Sequence, residues 1–336
     1  MTTNLQVGGR VSSPSQPPRS LRKWGPTALH GWTSPDALFR KACAAIAASI
    51  VGLLALLLYE LVRGSRLSLA RFGLRFVYER VWDPVVEHFG AATFAYGTVV
   101  TSAIALLLAV PLGVGIAIFL VEMAPRRVGA AIGFLVELLA AIPSIVYGLW
   151  GLFVLAPIVR DVIAPALQHT LGFLPIFAGQ SHGVGMLTGG VILAIMVLPF
   201  IAAVSRDVLA TVPQTQRDAS LALGATKWET IRHVVLPYGR AGIAGAVILA
   251  LGRALGETMA VTMVIGNDPQ IVASLFEPGY TMSSVIANEY AEASGPVYLS
   301  ALTEVGLLLF VITFAVNGVA QLLIWRTTRG QRARAA

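Results

Sequence analysis

Six stretches, roughly 42–62, 94–122, 129–158, 187–205, 240–266 and 298–325, are almost wholly apolar over nineteen to thirty residues each. As helices rising about 1.5 Å per residue, all six are long enough to cross a hydrocarbon layer about 30 Å thick. Lipid offers no partner to backbone N–H and C=O groups, so such segments must satisfy them internally, as helices. Charged residues make up only 12% of the chain and hydrophobic ones 56%, against about 25% charged in soluble domains. No soluble domain of ordinary size remains around these stretches. The fold class is therefore an all-α integral membrane protein with six transmembrane helices. The first stretch is too long, and lacks a small-residue cleavage site, to be a signal peptide.

The sequence divides accordingly. Residues 1–36, with Ser12, Ser13, Pro14, Ser15, Pro17, Pro18 and scattered Arg, cannot bury enough apolar area to order themselves and are expected to form a disordered cytoplasmic tail. Residues 37–70 hold the first helix, 71–93 an outer loop, 94–325 the core with a cytoplasmic loop at 206–239, and 326–336 a basic cytoplasmic tail. Lys and Arg set the orientation. With the tail inside, the inner segments carry seventeen of them and the outer segments six. Both termini are then cytoplasmic. Five of the six outer ones, Arg63, Arg66, Arg71, Arg75 and Arg80, crowd the first outer loop against the rule, whereas the last outer loop, 267–297, has no Lys or Arg but has Asp268, Glu277, Glu289 and Glu292. The basic residues lie beside apolar segments without an aromatic-interleaved patch, which argues against nucleic acid as a partner. Cys43 is the single cysteine, so no internal disulfide or thiolate metal site forms; it reads as a small buried hydrophobe.

The loop between the fourth and fifth stretches contains Arg217-Asp-Ala-Ser-Leu-Ala-Leu-Gly224, with Leu236-Pro237 twelve and thirteen residues beyond the glycine. Small residues at 219, 220 and 222 followed by glycine suit a short helix that lies close under another protein, then stops and turns. Asp218, Ala219, Ser220, Gly224, Leu236 and Pro237 mark this docking element. It resembles the EAA loop of importer-type ABC permeases, in which a cytoplasmic helix fits a cleft of the ATPase, with Asp218 where Glu is usual and Ser220 where Ala is usual.

In the fifth stretch, Leu251-Gly-Arg253-Ala-Leu-Gly-Glu257 puts an arginine and a glutamate four apart. On one continuous helix they share a face and can pair. A charge at the bilayer centre costs about 2.5–3.5 kcal/mol on insertion scales, so they face each other, protein, or a water-filled path. Two readings stand: a closed ion pair holding the bundle together, or Arg253 as a fixed positive charge where an anion crosses, with Glu257 orienting it and limiting how tightly the anion is held. Glu137, in the third stretch, either lines the path or bonds across helices.

The runs Phe94-Ala-Tyr96-Gly97-Thr98-Val-Val-Thr101-Ser102, Glu137-Leu-Leu-Ala-Ala-Ile-Pro143-Ser144-Ile-Val-Tyr147-Gly148-Leu-Trp150-Gly151, Gly183-Val-Gly185-Met-Leu-Thr188-Gly and Leu251-Gly-Arg253-Ala-Leu-Gly-Glu257-Thr-Met-Ala-Val resemble the PstC-type permease of the phosphate-specific ABC importer, over about residues 80–325. The resemblance implies a MetI-like permease core in a bacterial cytoplasmic (inner) membrane. It also implies four kinds of partner: a homologous PstA-type permease, a PstB-type ATPase dimer that binds ATP and Mg, a PstS-type phosphate-binding protein, and membrane lipid. It assigns Arg253 and Glu257 to phosphate transport. The chain itself is expected to hold no cofactor or metal and to be no enzyme. It has no Gly-x-x-x-x-Gly-Lys-Ser/Thr loop to cradle ATP, no His-Glu-x-x-His and no Gly-x-Ser-x-Gly. The same fold importing sulfate or molybdate, and a membrane scaffold that signals phosphate, are the alternatives.

Several features read as structural. Pro111, Pro143 and Pro199 interrupt apolar helices, and Gly129/Gly133 and Gly185/Gly189 allow close helix approach. His169 and His182 share an outer loop with Asp161 at a spacing that matches no zinc-ligand pattern. Trp82-Asp-Pro84 and Phe89-Gly90 suggest an outer elbow that touches a binding protein, or an interfacial anchor at Trp82.

Overall fold

The computed structural model describes residues 35–335. The expected N-terminal tail lies outside them, except for Pro35 and Asp36, which open helix α1 (Pro35–Gly64). The chain resolves into two units, 1–56 and 57–336. The described part of the first is helix α1 up to Leu56, whose apolar side chains, Phe39 and Ile50 among them, are exposed.

The second unit starts with the end of α1 and two short helices, α2 (Arg66–Phe72) and α3 (Arg75–Tyr78), followed by a two-stranded hairpin, β1 (Trp82–Asp83) and β2 (His88–Phe89). Helix α4 (Ala92–Met123) comes next, then α5 (Arg126–Ala141), α6 (Ser144–Leu171), α7 (Met186–Ala210), α8 (Gln214–Ala222), α9 (Lys227–Gly256), α10 (Met259–Val264), α11 (Met282–Glu289) and α12 (Pro296–Ala335). Six helices, α1, α4, α6, α7, α9 and α12, are long and apolar enough to cross a membrane, as the six stretches predict.

Two stretches expected as single helices are broken. In the third, Pro143 has no N–H, and its ring disfavours helical backbone at the residue before it. Ile142 is accordingly extended (φ −67°, ψ 130°), so α5 ends and a new helix starts at Ser144. The third span therefore runs to Leu171, past the expected end at 158. Arg160 and Asp161, expected in a loop, lie inside this helix and neutralise each other through hydrogen bonds of 2.8 and 3.0 Å. In the fifth, α9 stops at Gly256 and Glu257 is extended (φ −68°, ψ 129°). Pro111 and Pro199 stay within their helices.

The bundle centre is made where α4 and α9 pack on α7, with Ala105, Ala109, Ala250 and Ala254 meeting Leu193 and Val197. Alanine at these contacts lets helix backbones approach closely, the packing that works where lipid removes the hydrophobic drive. At one end of the bundle a second core gathers Phe76, Phe89, Phe94, Tyr280 and Tyr298 around Trp82. The Trp82 ring meets Phe94 edge-on at 4.9 Å, and its Nε1 donates to Glu289 Oε2 at 2.8 Å, an oxygen that also accepts from the Tyr298 hydroxyl. A turn does form at Trp82–Pro84, with the partly buried Trp82 ring packed against this core.

Candidate translocation path and coupling surface

Arg253 sits in the last turn of α9, four residues before the break. Because the helix ends between them, Arg253 and Glu257 do not share a helical face. The i, i+4 pair expected from spacing is absent: Arg253 makes no ion pair with any described residue. Glu257 turns to the next element instead. Its Oε1 is 3.5 Å from the Ala260 N–H in the first turn of α10, and its carbonyl accepts from Ser283 Oγ at 2.7 Å. The Arg253 side chain is exposed on the surface of the chain and lies within electrostatic range of Tyr147. Tyr147 sits one turn into α6, and its hydroxyl donates to the Leu139 carbonyl at the end of α5. The two helix breaks therefore meet. Gly148 brings α6 against α10, since a Cβ there would lie 3.1 Å from the Ala260 Cα. An apolar cleft of about 300 Å³ opens beside them, lined by Leu139, Ile142, Val146, Tyr147, Trp150 and Ile195.

A guanidinium exposed within an apolar helix and without an ion-pair partner among the described residues is costly against lipid, so this face must meet protein or water. Broken membrane helices expose unpaired backbone dipoles only where they line a protected cavity. The arrangement is suited to holding an anion briefly, between a fixed cation and helix ends, on a surface completed by something outside this chain.

Glu137 is elsewhere. Its Oε1 accepts from Arg206 Nη2 at 3.1 Å, linking α5 to the end of α7, and the same nitrogen reaches Asp207 at 3.1 Å. Of its two expected readings, the cross-helix bond is the geometry found. Gly133 is what lets Arg206 in, because a Cβ there would fall 2.7 Å from Arg206 Nη1.

The docking element folds as its residues dictate. Helix α8 follows Pro213, and Gly224 stops it in the left-handed region (φ 88°). The Gly224 and Ala225 N–H groups donate back to Leu221 O (3.0 Å) and Ser220 O (3.2 Å), the pair of bonds that closes a Schellman C-cap. No described residue lies within 4 Å of where a Gly224 Cβ would be. Thr226 and Glu229 then form a reciprocal capping box that starts α9. Asp218 and Ala219 are exposed, and Ser220 is held by the Thr230 hydroxyl at 3.0 Å. Leu236 and Pro237 continue α9 just after the five-residue π turn at Ile231–Val235. Leu223, 90% exposed, and Trp228, 61% exposed, stand beside Gly224. Large apolar side chains this bare on a polar segment mark a contact surface.

Two groups were not identified from sequence. Arg217, on α8, forms a partly buried ion pair with Glu122 in the π turn that ends α4 (2.9 Å) and also donates to the Leu209 carbonyl in the last turn of α7 and the Val212 carbonyl just beyond it. One guanidinium thus joins α8 to the ends of two membrane helices. Only Arg217's position beside the docking motif hinted at this; its partner is ninety-five residues away. Glu304, in α12, is buried at 4% exposure, and its Oε2 accepts no hydrogen bond from a described residue. A lone acid in an apolar stretch was the available signal.

Residues 109–329 match the family model described as "Binding-protein-dependent transport system inner membrane component", and the chain belongs to that class of membrane transport subunits. Over 87% of its length it is 50% identical to the phosphate transport system permease protein PstC of Mesorhizobium japonicum, covering 90% of that protein, and it is 49% identical to PstC of Haemophilus influenzae over 86%, covering 93% of it. Within the class, then, it belongs to the PstC family of permeases. Its fold resembles that of a chain in the crystal structure of a bacterial alginate ABC transporter in complex with its alginate pentasaccharide-bound periplasmic protein, with a TM-score of 0.59, 15% identity, and coverage of 89% of this chain and 99% of that one.

Proposed function

We propose that this chain is the permease subunit of an ATP-driven importer that carries inorganic phosphate into the cytoplasm by alternating access. The observation that carries the proposal is Arg253: a permanent cation beside the meeting helix breaks, exposed, and without an ion pair among the described residues. The phosphate transport permeases to which the chain is 49–50% identical support phosphate as the cargo.

In this reading the face bearing Arg253 and the apolar cleft is closed by a homologous second permease, so that the path runs between the two. Phosphate arrives from an external binding protein. The path offers it Arg253, whose planar fork fits a tetrahedral oxyanion through two parallel N–H donors. One cation without further ligands holds the anion weakly enough for release, which a transport site requires. Glu257, at the break, keeps a negative charge near the path and limits that hold. Glu137 acts through Arg206, fixing α5 to α7 at the inner end.

ATP and Mg are bound by a partner ATPase dimer, and hydrolysis takes place there. The α8 helix, with Asp218 and Ala219 outward and Ser220 held against Thr230, enters a cleft of that ATPase, and Leu236-Pro237 lead the motion into α9. Since α8 must meet a cytoplasmic ATPase, this end of the bundle and both termini are cytoplasmic. The test is Arg253→Gln in the assembled importer. Uptake of labelled phosphate should be abolished while all subunits still co-purify; normal uptake by the variant would remove Arg253 from the path.

A further inference from the structure

Five arginines between residues 63 and 80 stand on the outer side in this orientation, against the rule that membrane proteins keep such charges inside. Importing phosphate gives them no task. Their setting does.

Helices α2 and α3 are pressed against the bundle by one face only. Ser68 and Phe76 are buried, at 0% and 1% exposure. The Ser68 N–H donates to Ser300 Oγ at 3.0 Å, and that hydroxyl donates to the Gly64 carbonyl at 2.8 Å. Ser300 lies one turn, about 6 Å, inside the start of α12 at Pro296. The apolar span of α12 begins at that same residue. With α12 entering the membrane from this end, the elbow made by α2 and α3 lies near the depth where hydrocarbon gives way to headgroups.

At that depth its free face is two-sided in chemistry. Leu67, Leu69, Leu74 and Tyr78 are exposed, Leu74 at 82% and Tyr78 at 76%. Arg71 and Arg75 lean on Glu87 and Glu79, whereas Arg66 and Arg80 are exposed and make no ion pair with a described residue. Apolar side chains that reach acyl chains, a tyrosine at the boundary and arginines beside it match the phosphodiester layer of a membrane. The guanidinium fork pairs with phosphate oxygens bidentately.

We propose that the elbow α2–α3 is a docking surface for anionic phospholipid, with Arg66 and Arg80 pairing headgroup phosphates and the exposed leucines lying among the acyl chains. The bound lipid supplies the negative charge that makes an arginine-rich outer loop compatible with this orientation.

The test uses the assembled importer in nanodiscs of phosphatidylcholine doped with phosphatidylglycerol, comparing native protein with the Arg66→Gln/Arg80→Gln variant by native mass spectrometry of retained lipid. The native complex should keep phosphatidylglycerol in preference to phosphatidylcholine, and the variant should lose affinity about fivefold for each arginine removed, with an unchanged melting midpoint. Equal retention by the variant, or no preference in the native complex, would overturn the proposal. So would displacement of the lipid by excess inorganic phosphate, which would make the surface a free-anion site. A variant that keeps its lipid but loses activation by the phosphate-binding protein would make it a protein-docking face instead.

Discussion

Arg217 and Glu122 are the residues on which the link between α8 and the bundle depends. Their side chains are 12% and 9% exposed, and the guanidinium also donates to two backbone carbonyls. Removing one member leaves the other charge largely desolvated without its ionic partner, a loss below the roughly 3–5 kcal/mol of a fully buried pair, whereas neutralising both removes the desolvation cost together with the attraction. Arg217→Gln and Glu122→Gln should each lower the melting midpoint of the assembled complex, and the double variant should recover much of the loss. Additive losses in this cycle would mean that the pair is not coupled. Beyond stability, the single variants should hydrolyse ATP without moving phosphate, because α8 would move without pulling α4 and α7. Arg253 and Glu257 are legible in the sequence as charges because they stand out against apolar neighbours. The pairing of Arg217 with Glu122 is not, because no periodicity connects a loop residue to one ninety-five positions earlier.

At the scale of elements, the six spans were legible because length and apolarity alone decide them, and α8 with its stop because small residues followed by glycine have few other uses. The breaks were not. Apolar residues run on through Ile142–Pro143 and resume directly after Glu257-Thr258, so the hydrophobic pattern barely marks where the backbone changes. Pro143 signalled a kink, yet Pro111 and Pro199 carry the same signal and remain within their helices. The misplaced helix end at Gly256 is also why Arg253 and Glu257 were expected to pair. Gly224 supports a prediction at this scale. Its left-handed backbone (φ 88°) costs a side-chain-bearing residue roughly 1–2 kcal/mol, while the described residues leave the space around it open. Gly224→Ala should therefore destabilise the isolated permease only by about that amount. Gly224→Asp should additionally abolish co-purification with the ATPase and transport, since its charge would enter the contact. An aspartate variant that binds the ATPase and transports normally would show that α8 docks elsewhere.

For the whole molecule, the uncovered surfaces are as informative as the packed ones. Leu223 and Trp228 are bare beside Gly224, and Arg253 is exposed near the 300 Å³ apolar cleft. Neither surface is finished by this chain, which accords with a subunit that works only in a larger assembly. Its two ends are joined mechanically through α7 and α9: α7 carries the Arg206 and Arg217 contacts at one end, and α9 runs from the capping box at Thr226 to the break beside Arg253. In the proposed mechanism, a push on α8 would therefore reach the face that bears Arg253 along α9.

The most direct measurement of this account is uptake of labelled phosphate, at low external concentration, by cells that lack their own high-affinity permease and are supplied with this chain, its sister permease, the ATPase and the binding protein. The account predicts uptake that requires this chain, is lost with Arg253→Gln, and is not competed by sulfate or molybdate. Uptake that proceeds without the chain, or that sulfate or molybdate competes away, would contradict it.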